Sequence, residues 1–184
     1  MEPGGVLSEW PLQRQAHLQR KVQALTEKTV RDFRLAGDAA YNNYTFDKAL
    51  TAYQRAHQFI SKDTHPRLWA SVTIEIGLSH RALGIRTKGT EVAYHLNKAH
   101  SAFQQALEVY TRADLPQVWA TIQNNLGRTL AELGKRLQDA ELLNDAKGAI
   151  QGAYTFYMDS GYTHYAEYFE SKLSEINQLI EELK

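Results

Sequence analysis

Pro66-Arg67-Leu68-Trp69-Ala70 returns as Pro116-Gln117-Val118-Trp119-Ala120, fifty positions along the chain (116 − 66). The same interval relates Ala52-Tyr53-Gln54-Arg55-Ala56 to Ala102-Phe103-Gln104-Gln105-Ala106, Gly77 to Gly127, and Leu83-Gly84 to Leu133-Gly134. Nine identities in one ungapped register, including a proline, a tryptophan and two glycines, mark an internal repeat. A third copy follows at a shorter interval of 47 (149 − 102), with Ala149-Ile150-Gln151-Gly152-Ala153 answering to Ala102–Ala106. The three missing residues are expected in a connection between paired helices, because surface connections tolerate length changes that packed helices do not.

Inside each copy the apolar residues recur at helical spacing. Trp69, Val72, Ile76 and Leu83 share one face, as do Trp119, Ile122, Leu126 and Leu133. A second series runs Ala49, Tyr53, Ala56, Ile60, then Ala99, Phe103, Ala106, Tyr110, then Ala146, Ile150, Ala153, Tyr157. Small alanines alternating with one large side chain let two helices approach closely and interlock. Each copy therefore reads as a helical hairpin with a face that only a neighbouring copy can bury.

Outward from the repeat, residues 1–9 read as a flexible leader because of Pro3-Gly4-Gly5. Ser8 suits a helix cap with Pro11 in the first turn, and Leu18, Val22, Leu25 and Val30 predict an N-terminal helix over 10–29 that caps the array. The repeats occupy 30–160, divided 30–62, 66–113 and 116–160. Residues 161–184 predict a C-terminal capping helix. There Ala166, Phe169, Leu173, Ile176, Ile180 and Leu183 form the apolar face, and Glu167, Glu170, Lys172, Glu175 and Gln178 face water. That segment is too short to favour a coiled-coil handle, although a homodimer formed through it stands as an alternative. The fold class expected is all-α, an α-solenoid of about three hairpins.

Composition narrows the function. The chain of 184 residues has 21 basic and 21 acidic side chains and no net charge, without the basic excess of nucleic-acid-binding proteins. It has no cysteine, which removes disulfides, thiolate metal sites and a cysteine nucleophile. No basic-then-apolar signal segment opens it, and no run approaches the ~20 apolar residues of a membrane span, so a cytoplasmic protein without membrane contact is expected.

The repeat resembles the tetratricopeptide repeat, whose pattern places a small residue in the first helix, an alanine early in the second, an aromatic four later and an alanine three after that. Gly37 with Ala49, Tyr53 and Ala56 fits at the usual twelve-residue spacing, with Tyr44-Thr45-Phe46 in the turn. Gly77 with Ala99, Phe103 and Ala106, and Gly127 with Ala146, Ile150 and Ala153, fit with ten and seven extra residues. Two departures stand out: Thr73 and Gln123 occupy places where a large apolar residue is usual, and the later repeats are long. Such lengthened units, with segments like Gln123-Asn124-Asn125-Leu126-Gly127, are similar to those of kinesin-light-chain-like bacterial proteins.

The resemblance implies a protein-interaction adaptor or scaffold that holds a peptide or protein on a concave surface lined by the first helices. It would be no enzyme and carry no cofactor. The alternative is a self-assembling or partner-sensing regulatory segment of a larger bacterial effector or signalling system. The implied groove positions are Arg31, Arg34, Asp38, Tyr41 and Asn42 in the first repeat, and Ser71, Ile74, Leu78 and Arg81 in the second. Thr121, Asn124, Asn125, Arg128 and Glu132 follow in the third. Asn125 falls where family members use asparagine against a ligand backbone, an amide supplying both donor and acceptor. Ile74 and Leu78 interrupt the family's carboxylate clamp, but Arg34, Arg81 and Arg128 keep bidentate geometry for an acidic group. Tyr154, Tyr162, Tyr165 and Tyr168 form a candidate interface patch, tyrosine being enriched in binding hot spots.

No catalytic or metal constellation competes. The seven histidines lie at spacings unlike a helical His-x-x-x-His pair. Gly84-Ile85-Arg86-Thr87-Lys88-Gly89-Thr90 is glycine-containing and basic, yet lacks the spacing and strand of a phosphate loop and reads as a connection. No serine, histidine and carboxylate set is apparent.

Overall fold

A computed structural model describes residues 10–184; the leader and the Ser8 cap lie outside the described residues. The described chain is all-helical and contains no strand: α1 Trp10–Asn42, α2 Phe46–His57, α3 Pro66–Arg86, α4 Glu91–Leu107, α5 Pro116–Leu137, α6 Ala140–Asp159, a 3-10 turn Thr163–Tyr165, and α7 Ala166–Glu182. Short connections make successive helices antiparallel neighbours, and the pairs α1–α2, α3–α4 and α5–α6 pack most closely. Between pairs, α2 lies on α3, α4 on α5 and α6 on α7.

The repeated residues explain the repeated pairs. Pro66 and Pro116 open α3 and α5, where a missing N–H costs nothing and the fixed φ suits the first turn. Gly89 and Gly161 take positive φ in connections. Asp139 caps α6, its side chain accepting from Glu141 N and Leu142 N at 2.9 and 3.1 Å. The connection shrinks from four residues between α3 and α4 to two between α5 and α6, and α6 also starts closer to its first repeated alanine. Together these changes absorb the shorter interval of the third copy.

Within each pair a glycine of the first helix receives the large residue of the second. A Cβ on Gly37 would collide with the Tyr53 ring, one on Gly77 would stand 3.0 Å from Phe103, and one on Gly127 2.7 Å from Ile150. Phe103, Ile122, Leu143, Ile150, Phe169 and Ile176 belong to one buried cluster reaching from α3 to α7. Val30, Ala49, Tyr53, Ala56, Ile60 and Val72 form a smaller one at the first pair.

Gly127 should not tolerate alanine. The added methyl would also lie 2.9 Å from the carbonyl oxygen of Ala146, a backbone atom that cannot rotate away. Gly127→Ala is expected to cost about 1–3 kcal/mol of unfolding free energy through overpacking. Gly148→Ala, in the same region but with nothing within 4 Å of the new methyl, should stabilise by about 0.5–1 kcal/mol because it removes backbone freedom in a helix interior. Urea denaturation of both variants checks the contrast, and equal effects would refute the close-approach account.

The N-terminal end differs from expectation in an instructive way. The predicted N-terminal helix 10–29 is not a separate cap: α1 runs unbroken from Trp10 to Asn42 into the first pair. No proline or glycine interrupts 12–36, so nothing ends the helix at residue 29. Residues 12–25 are exposed along their whole circumference. At the C-terminus, α7 buries Phe169 and Ile176 against the main cluster and turns Glu167, Glu170, Ser174 and Glu181 to solvent. None of the described helices is long and apolar enough to cross a membrane.

Candidate functional site

The odd-numbered helices share one face. Arg34 of α1 reaches Glu75 of α3, Tyr168 of α7 donates to Asn124 Oδ1 of α5 at 3.0 Å, and α3, α5 and α7 together wall a cleft. Arg81, Arg128, Glu132, Lys135, Lys172 and Glu175 supply its charged lining. Ile150, Ile176 and Leu179 form part of its apolar wall.

The charges of this cleft do not balance. Glu132 accepts from Arg136 at 2.6 Å, and Lys172 pairs with Glu175 at 2.8 Å. Arg81, Arg128 and Lys135 have no carboxylate within ion-pair distance among the described residues. Arg81 is the most constrained. Its Nε is buried with no hydrogen-bond partner among the described residues. Burial, and then the neighbouring charge of Arg128, push its guanidinium below the usual value, opposed by Tyr41, Tyr168 and Glu132. A buried donor on a cation without an acceptor is costly, and an incoming anion would remove that cost. The cleft holds about 160 Å³. Dedicated small-molecule sites run to roughly 300–1,000 Å³, so this one suits the end of a side chain rather than a drug-sized ligand.

The other expected site residues divide into engaged and free. Arg34 is engaged: its Nε donates to both Glu75 oxygens at 3.0 Å, and its second Nη to Ser71 Oγ at 3.2 Å. Glu75 holds the guanidinium protonated, while burial pushes the Glu75 carboxyl above the ordinary range and the arginine only partly reverses this. Asp38 accepts from Tyr53 Oη at 2.7 Å, tying α1 to α2. Asn124 accepts from Tyr168, and Asn125 donates to the carbonyl of Thr121 at 3.1 Å. Arg31 and Asn42 are exposed, away from the cleft lining. Ile74 and Leu78 pack against the main cluster rather than lining the cleft.

Three of the four tyrosines of the patch are half-buried and engaged with neighbours. Tyr154 donates to Glu170 at 2.9 Å, Tyr168 is tied to Asn124, and Tyr162 is half-buried against Tyr157. Tyr165 alone of the four is exposed, its ring 5.0 Å from that of Tyr157. These rings fasten α7 and the preceding turn onto α6, which accounts for their density.

Two features were not anticipated. Lys135 of α5, whose repeat counterpart is the apolar Ile85, and Lys172 and Glu175 of α7, which has no counterpart in the repeat, complete the cleft. His80 and His95 meet between α3 and α4 with Nδ1 atoms 2.9 Å apart, so one ring donates and the other accepts. The register set by Gly77 on Phe103 and Gly84 on Leu96 puts residue 80 opposite residue 100 of α4 (180 − 80), so the repeat pattern did not single out His95 as its partner. Among the described residues no three histidines or carboxylates stand close enough to hold a metal ion.

Comparison of the chain with protein-family models, with curated proteins and with solved structures returns no match.

Proposed function

We propose that the chain is an α-solenoid of three tetratricopeptide-like hairpins closed by α7, and that it works as a cytoplasmic protein-interaction adaptor. Its odd-numbered helices line the binding side, and the ligand is an acidic peptide segment rather than a substrate. One observation carries this reading: Arg81, whose Nε is buried without a hydrogen-bond partner among the described residues, lines with Arg128 a cleft open to solvent. A guanidinium held by its surroundings has already lost its rotamer freedom, so a carboxylate that reaches it gains two charge-assisted hydrogen bonds at low entropic cost. Arg34, expected to share this work, is spent on Glu75 and sets the spacing of α1 and α3 instead. The basic residues of the site are Arg81, Arg128 and Lys135.

Peptide display against the immobilised protein tests the reading. Selected sequences should be enriched in aspartate and glutamate, and Arg128→Glu should weaken their binding at least tenfold, about 1.4 kcal/mol. Arg31→Glu, on the same row of helices but outside the cleft, should leave binding unchanged. Selection with no acidic enrichment, or an Arg128→Glu protein that binds at full strength, would sink the proposal.

A further inference from the structure

The two ends of the helix row are finished differently. At the C-terminal end α7 turns Glu167, Glu170, Ser174 and Glu181 to water, a polar closing face. At the other end Leu18, Val22 and Leu25 are 54%, 65% and 64% exposed and Phe59 is 49% exposed; Leu18 and Val22 border an open hollow with Thr64 and His65, and Phe59 is covered in part by Phe33. The free part of α1, 12–29, is ~27 Å long at 1.5 Å per residue, and an isolated helix of that length is marginal in water. Something must cover its apolar stripe.

The stripe describes its own partner. Leu18, Val22, Leu25, Thr29, Phe33 and Ala36 follow one another by four, three, four, four and three residues along one side of α1. These positions are nearly symmetrical about residue 27, falling nine, five and two before it and two, six and nine after it. Only the first half is free. Phe33 and Ala36 of the second half form, with Asp47, Lys48, Thr51, Ala52 and Arg55 of α2, a shallow hollow, and Phe33 also stacks on Phe59 at 6.0 Å. Only the second half of the stripe adjoins α2, so a second α1 covers both halves at once only if it runs antiparallel to the first. An antiparallel α1 from a second copy would lay its Leu18–Leu25 half against the first copy's Thr29–Ala36 half, and the reverse contact follows by the two-fold axis.

Charge supports the same pairing. Lys21 and Asp32 flank the stripe on one side, six residues before and five after the centre, and both are exposed without an ion-pair partner among the described residues. Antiparallel two-fold pairing sets Lys21 of each copy beside Asp32 of the other, once on each side of the axis. The contact is isologous and closes on itself, and the polar α7 face offers no second apolar end for a chain of copies.

We infer that the protein is a head-to-head homodimer in which the free half of each α1 docks, antiparallel, on the α1–α2 hollow of the other copy. Sedimentation equilibrium up to about 100 µM should show a dimer with a Kd in the micromolar range or below. Val22→Glu and Leu25→Glu, both at exposed positions and so compatible with an intact fold, should weaken dimerisation at least tenfold without shifting the unfolding midpoint of the body. Lys21→Glu and Asp32→Lys should each weaken it, and the combination should restore it. Because the chain has no cysteine, a Leu25→Cys, Thr29→Cys double variant should form a covalent dimer on oxidation.

A strict monomer at all concentrations overturns the inference, as does a dimer insensitive to Val22→Glu. A failed rescue by the combined charge reversal overturns the antiparallel register. Binding of the monomer to anionic phosphatidylserine vesicles that disappears in Val22→Glu would assign the stripe to a membrane surface and likewise overturn the dimer. None of these results depends on the basic cleft, which lies on α3, α5 and α7.

Discussion

Phe103→Ala lowers the unfolding free energy by about 3–5 kcal/mol, the loss expected when a fully buried aromatic is cut back to a methyl. Phe103 has no exposed surface and sits in the largest buried cluster, with its ring edge against Gly77. The cavity cannot close by local collapse, because the glycine opposite has no side chain to move into it. Phe103→Leu keeps most of the volume and should cost about 1.5 kcal/mol or less. Phe59→Ala, at the half-exposed rim of the first pair, should fall well below Phe103→Ala. Urea unfolding followed by circular dichroism gives all three values. Phe103→Ala no more costly than Phe59→Ala would mean that the glycine–aromatic contact does not organise the core.

The contrast between those two phenylalanines shows what the sequence made legible. Phe103 stood out because Tyr53 and Ile150 occupy equivalent places, each flanked by alanines and each facing a glycine one helix earlier. A pattern written three times reveals both the helix and the face it buries. Phe59 has copies in Val109 and Phe156, but the stripe Leu18–Leu25 has no second copy to compare, so its periodicity indicated an amphipathic helix without telling what covers it. The separate cap expected over 10–29 failed for the same reason: an apolar period shows a face, and only a breaker residue shows an end.

The candidate site was legible to a smaller degree. Arg81 and Arg128 follow from their place on the first helices, but the partners of Arg34 and Asp38 do not. Glu75 lies 41 residues from Arg34, and a surface arginine and a paired one look alike in sequence. The tyrosines near the C-terminus illustrate the converse: residues enriched in interfaces are also good mortar when their hydroxyls find Glu170 or Asn124. What survives on the site is the part where a charge is left without a partner. That imbalance is a property of packing, since Glu132 and Glu175 are near enough in the fold to have neutralised the cleft but are spent on Arg136 and Lys172.

Acid should loosen the α3–α4 pair before it protonates most carboxylates. His80 is 5% exposed, and burial, then the neighbouring His95 and Lys98, push its imidazole down from 6.5 to about 4. Burial lowers His57 and His100 in the same direction, Asp145 partly opposing the effect at His100. In the unfolded chain His80 takes up a proton near 6.5 while the folded chain refuses it until about 4, so the unfolded state binds more protons between those values. Stability attributable to this residue is therefore complete above pH 6.5 and is lost progressively as pH falls through the window. The gap of about 2.5 units (6.5 − 4) corresponds to a loss on the order of 3 kcal/mol at the acid end. Urea midpoints measured between pH 7.5 and 4.5 check this, with His80→Gln as the comparison because it retains a hydrogen-bonding side chain but cannot titrate. The variant starts less stable at pH 7.5 and declines less steeply, so the two curves converge as pH falls. Parallel curves would show that His80 titrates normally and that the acid sensitivity of the fold lies elsewhere.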